Sequence, residues 1–111
     1  MKTLHVQELG AFLDAQAERQ PLLLDVREAW EVKLAPLLIA GTPTLHLPMN
    51  EVPAHLGQFQ PTQPIVCFCH HGMRSAQVVA LLMQRGLQDV YNLDGGIAAW
   101  STLIDSDVPQ Y

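Results

Sequence analysis

Pro64-Ile65-Val66-Cys67-Phe68-Cys69-His70-His71-Gly72-Met73-Arg74-Ser75 decides how the rest of the chain is read. Ile65 to Phe68 are apolar and partly β-branched, which predicts a buried strand. Ser75 to Arg85, closed by Gly86, predict a helix. Between them runs a short polar loop with one glycine. A cysteine where a strand ends, in a loop whose N–H groups turn inward ahead of a helix, has the surroundings that bind anions and lower a thiol's pKa. Cys69 is therefore the candidate nucleophile. Cys67 sits inside the apolar run and reads as a packed core residue.

The residues around Cys69 fit this chemistry. Arg74 stands just before the predicted helix, where a guanidinium donates to an anionic substrate and favours the thiolate. Gly72 permits the backbone turn that aims successive N–H groups into the loop. His70 and His71 read as the rim of a pocket rather than as acid or base. Met73 and Ser75 complete the substrate-binding loop. Cys67, Cys69, His70 and His71 are four potential zinc ligands, but they are crowded into five residues. They lack the two separated clusters of a closed tetrahedral site, and strand alternation points neighbours apart, so no metal is expected.

Working outward, 111 residues make one domain, 1–111, with enough chain for a real core. Hydrophobic content of 49% and a mean hydropathy just above zero describe a globular chain. A net charge of -5 with only six Lys and Arg, scattered along the chain, argues against a nucleic-acid surface. It does not exclude a small anion held by local N–H groups and one arginine. No apolar run reaches the ~18 residues of a membrane span, and Met1 to Glu8 lack a signal-like apolar core. The cytoplasm is the expected compartment, where two cysteines one residue apart are free thiols rather than a disulfide.

Val6, Leu9 and Leu13 recur at helical spacing, predicting a helix over 6–19 that stops at Gln20-Pro21. Residues 22–26 are almost wholly apolar, as in a parallel strand covered on both faces. A short helix over 27–34, an irregular stretch over 35–44, a strand over 45–47 and a helix from Asn50 to about Leu56 follow. Beyond the loop and its helix come a strand over 89–93, the Gly95-Gly96 pair, and a helix with Ile97, Trp100 and Ile104 on one face. The stretch from Asp105 to Tyr111 reads as a polar tail. Alternating strands and helices imply an α/β fold with a largely parallel sheet between helical layers. Ligands then bind beyond the carboxyl ends of the strands, where Cys69, Asp25 and Arg27 lie.

Three motifs in order carry a resemblance: LLLDVRE at 22–28, CHHGMRS at 69–75 and NLDGGIAAW at 92–100. Together with Gly41…Leu47-Pro48 they resemble the rhodanese (sulfurtransferase) family. The resemblance implies a three-layer rhodanese-like fold and an enzyme whose Cys69 accepts sulfane sulfur as a persulfide. The sulfur comes from a donor such as thiosulfate and passes to a thiophilic acceptor, cyanide or a thiol. No cofactor is expected, nor, from the charge and hydropathy above, nucleic acid or a membrane, and the resemblance admits a sulfur-relay protein partner. In that alternative the domain is a persulfide carrier or sensor. Carried over, the 69–74 loop supplies N–H donors to the outer sulfur. Asp25 and Arg27 resemble a structural element near the site, and Gly95, Gly96 and Trp100 read as structural. A Cys-x5-Arg phosphatase loop is wider by one residue than Cys69-x4-Arg74, so phosphatase chemistry is disfavoured. The chain differs from the family in Leu38-Ile39-Ala40-Gly41 and in carrying His70 and His71 where thiosulfate-using members often have a basic residue.

Overall fold

The triplet Leu22-Leu23-Leu24 shows why the sheet is covered on both sides. Successive side chains on a strand point to opposite faces; Leu23 joins one hydrophobic cluster and Leu24 the other, both fully buried. The computed structural model describes residues 1–111. In it the strands are β1 (Lys2–His5), β2 (Leu22–Asp25), β3 (Thr44–His46), β4 (Ile65–Phe68) and β5 (Val90–Asp94). All pair in parallel in the order β1-β5-β4-β2-β3. The helices are α1 (Val6–Ala15), α2 (Ala29–Leu34), α3 (Met73–Gln84) and α4 (Gly96–Leu103).

Two cores follow from this alternation. Leu9 and Leu13 of α1 and Ile97 of α4 pack against Leu23, Val66, Phe68 and Leu93 on one face. Val78, Val79 and Leu82 of α3, with Val52, pack against Leu24, Ile65, Cys67 and Val90 on the other. This is the expected three-layer α/β arrangement. No helix is long and apolar enough to cross a membrane.

Several boundaries differ from expectation, each for a local reason. The helix predicted over 6–19 ends at Ala15, and a 3-10 turn over Ala17–Arg19 leads to Gln20, whose φ of +55° reverses the chain. β1 was not expected, because only Leu4 of its four residues is buried and no alternation shows in so short a run. Arg27 lies outside α2: its backbone N–H and guanidinium both bind the Asp25 carboxylate, holding residues 25–27 in a tight polar turn. The segment after β3 is a 3-10 helix, Met49–Gln58, containing Pro53, which lacks an N–H, and broken at His55. The predicted strands at 45–47 and 89–93 each shift by one residue, and β2 stops at Asp25. Ile104 falls beyond α4 and is exposed. The 105–111 tail is not merely polar: Val108 and Tyr111 pack on the α1/α4 core.

Candidate active site

β4 ends at Phe68, so Cys69 emerges at the carboxyl end of the central strand of the sheet, flanked by β2 and β5. Gly72 then adopts φ +108° and caps α3, which starts at Met73, two residues earlier than the sequence predicts. The first helical bond, Ala76 N–H to the Gly72 carbonyl at 3.1 Å, closes the turn. Arg74 thus belongs to the first turn of α3 rather than to the loop.

This turn wraps the thiol. The Gly72 N–H donates to Cys69 Sγ at 3.1 Å and the Ser75 N–H at 3.4 Å, while Ser75 Oγ lies 3.4 Å away. Burial pushes the Cys69 pKa up, but the Ser75 hydroxyl and the N–H groups of Ser75, Gly72 and Arg74 outweigh it and leave it lowered. The Ser75 hydroxyl has one proton, and it also donates to Asn92 Oδ1 at 2.5 Å. The backbone N–H groups are therefore the steady source of stabilisation, helped by the positive end of α3. Cys67, two residues below on the same face, is the opposite case: full burial, then the charges of Cys69 and Asp25, push its thiol well up. The two cysteines differ by environment, not by type.

The cup is fixed from below and behind. Asn92 on β5 donates from Nδ2 to the Gly72 carbonyl at 3.1 Å and accepts from Ser75 through Oδ1. The first residues of α4 bind the loop's own carbonyls, Ile97 N–H to Cys69 and Ala98 N–H to His70, each at 3.0 Å. Gly96 presses so close that a Cβ there would meet the Cys69 oxygen at 2.4 Å. The glycine pair of the last motif therefore shapes the loop directly.

Beside the cup stands a buried polar network. Arg27, wholly buried, forms a two-pronged pair with Asp25 (2.9 and 2.8 Å) and donates to the Ala35 carbonyl and the Tyr111 hydroxyl. Breaking such a pair strands a charge and costs about 3–5 kcal/mol, so Arg27 is structural here. The Arg74 guanidinium is engaged by a carboxylate of α2. It forms a two-pronged pair with Glu31 at 2.7 and 2.8 Å. That pairing, first among several causes, holds the Glu31 carboxyl down to about 2.

His70 and His71 line the mouth with Cys69, Met73 and Arg74, around a depression of about 280 Å³. Their rings lie 4.0 Å apart, and the Tyr111 ring stacks on His70 at 3.9 Å, nearly parallel. Of the predicted site residues, the fold gathers Cys69 through Ser75 into one turn and leaves Cys67 in the core. Sequence reasoning missed Glu31, Asn92 and Tyr111. Glu31 looks like a surface residue of a short helix and Tyr111 like part of a tail. Asn92, a buried polar residue within a predicted strand, was the one available signal.

The chain is similar to known proteins over most of its length. Residues 6–103 match the family described as Rhodanese-like domain. A sulfurtransferase from Allochromatium vinosum is 38% identical over 80 residues, 72% of this chain and 71% of that protein. The thiosulfate sulfurtransferase GlpE of Vibrio cholerae is 29% identical over 97 residues, 87% of each chain. A rhodanese-like domain protein from Staphylococcus aureus superposes with a TM-score of 0.76 at 30% identity, covering 90% of this chain and 91% of the other. The chain spans only about a third of some longer relatives, such as 36% of the tRNA uridine(34) hydroxylase of Deinococcus radiodurans.

Proposed function

Because this chain belongs to the rhodanese-like domain family, we propose that it is a sulfurtransferase that carries sulfane sulfur on Cys69. The observation that supports this best is the cup of N–H donors, Gly72 and Ser75, aimed at Sγ. The thiolate attacks the sulfane sulfur of a donor. With thiosulfate, the new Cys69 S–S bond forms as the S–S bond of the donor breaks, and sulfite leaves with the electron pair. The Cys69 persulfide then yields its outer sulfur to cyanide, giving thiocyanate, or to a thiolate, giving a persulfide, and the Cys69 thiolate returns. No proton relay is needed, which suits histidines that sit on the rim rather than in hydrogen bonds to Sγ.

A second reading, relay to a protein acceptor, is supported by two exposed apolar side chains near the mouth. Met73 is 79% exposed and Trp30, packed edge-on to Tyr111, is 62% exposed. Mass spectrometry after exposure to a sulfur donor tests both readings. One added sulfur on Cys69, lost on adding cyanide, is expected of the enzyme. An adduct stable to cyanide but passed to a protein favours the relay. Cys69→Ser should abolish the adduct and Cys67→Ser should keep it; an adduct that survives in Cys69→Ser refutes the assignment.

A further inference from the structure

We infer that the mouth of the Cys69 cup is set by Glu31 and Tyr111 to take an organic persulfide, R–S–SH, in preference to the thiosulfate dianion. The inference rests on the sulfurtransferase reading of Cys69 and concerns which donor that thiol meets.

Three observations carry it. Arg74 is the one full cation lining the depression, and both prongs of its guanidinium are held by Glu31. Glu31 is itself anchored by the Glu28 N–H at 2.8 Å and the Tyr111 hydroxyl at 3.0 Å, and its side chain is only 4% exposed. For Arg74 to turn toward an anion it would leave a buried carboxylate without its partner, which is strongly unfavourable. The other nearby guanidinium, Arg27, is sealed against Asp25. Burial, and then the neighbouring His71, lower the pKa of His70, which therefore adds no charge at neutral pH.

A dianion approaching a thiolate thus meets no free guanidinium at this mouth. What it meets is a wall of rings: Tyr111 flat against His70, His71 beside it, and Trp30 edge-on behind. An organic persulfide reacts as neutral R–S–SH, and its carbon portion can lie along that wall. The step balances without an outside oxidant. Cys69 sulfur bonds the terminal sulfur of R–S–SH, the R–S bond to that sulfur breaks, and R–S⁻ leaves and takes the proton as R–SH. The thiol keeps the outer sulfur as a persulfide anion.

Glu31 is on this account a positioning residue, acting through Arg74. The test is single-turnover loading of Cys69 in the full chain, read by intact mass, with thiosulfate and with 2-hydroxyethyl persulfide. Wild type should load faster from the organic persulfide by about tenfold or more. Glu31→Gln frees Arg74, so the thiosulfate-to-persulfide rate ratio should rise about tenfold and become strongly salt-dependent. Tyr111→Phe keeps the ring and removes one anchor of Glu31, and should shift the ratio the same way by less. It serves if Glu31→Gln does not fold. A wild-type preference for thiosulfate, or an unchanged ratio and salt dependence in the variants, overturns the inference while leaving the Cys69 reading intact. Failure of both donors to load Cys69 overturns that reading, and the inference with it.

Discussion

Replacing Gly96 by alanine should strike the Cys69 loop although residue 96 belongs to α4 and lies outside that loop. A Cβ there would lie 2.4 Å from the Cys69 oxygen, 2.6 Å from the His70 oxygen and 2.8 Å from the His70 carbonyl carbon. All three are backbone atoms, so no rotamer change relieves the contact. The loop must recede by about 1 Å to reach ordinary packing at 3.4 Å. Residue 96 also has φ +57°, which costs an alanine about 1–2 kcal/mol. The retreat stretches the bonds from Ile97 and Ala98 to the Cys69 and His70 carbonyls, worth about 1 kcal/mol each. The expected destabilisation is about 3 kcal/mol, a fall in Tm of roughly 12 °C. A reacting atom misplaced by about 1 Å loses on the order of 100-fold in rate. Calorimetry and the loading rate of Cys69 measure the two effects. If Gly96→Ala melted within about 2 °C of wild type and loaded at the wild-type rate, the view that α4 braces the loop would be wrong.

Other outcomes follow from the same geometry. Gly10→Ala, in α1 with nothing within 4 Å of the added methyl, should instead stabilise the protein by about 0.5–1 kcal/mol in denaturant unfolding; a loss of stability would contradict the open surface there. Asn92→Asp puts a negative charge beside the bonds that hold Gly72 and Ser75, and should raise the Cys69 pKa by at least about one unit. The pH profile of thiol alkylation reports this, and an unmoved midpoint would remove Asn92 from the site. The Glu31 carboxyl is held at about 2 against an ordinary 4.5, chiefly by Arg74. A depressed acid stabilises the fold above its unfolded pKa and loses that contribution as the pH drops toward its folded pKa. About 3 kcal/mol should therefore disappear between roughly pH 5 and pH 2. Urea unfolding across that range should be flatter in Glu31→Gln, and equal slopes would disprove the coupling.

The sequence by itself determined the alternation of strands and helices, the strand under Cys69, and the separation of the two cysteines. These rest on periodicity and on residue types that act over a few neighbouring positions: Ile65 to Phe68 fit a covered strand, and Gly72 permits the turn that follows it. It could not place β1, because one buried side chain in four leaves no pattern. Nor could it foresee that Arg74 turns to Glu31, 43 positions earlier, or that Tyr111 crosses to Arg27, 84 positions away. Those pairings depend on which strand ends the sheet order brings side by side, and no local rule encodes that distance. The tertiary structure alone decided that Arg74, five residues after Cys69, is already paired with a carboxylate. It also decided that a glycine of the last motif, read only as structural, is what holds the thiol's loop in shape.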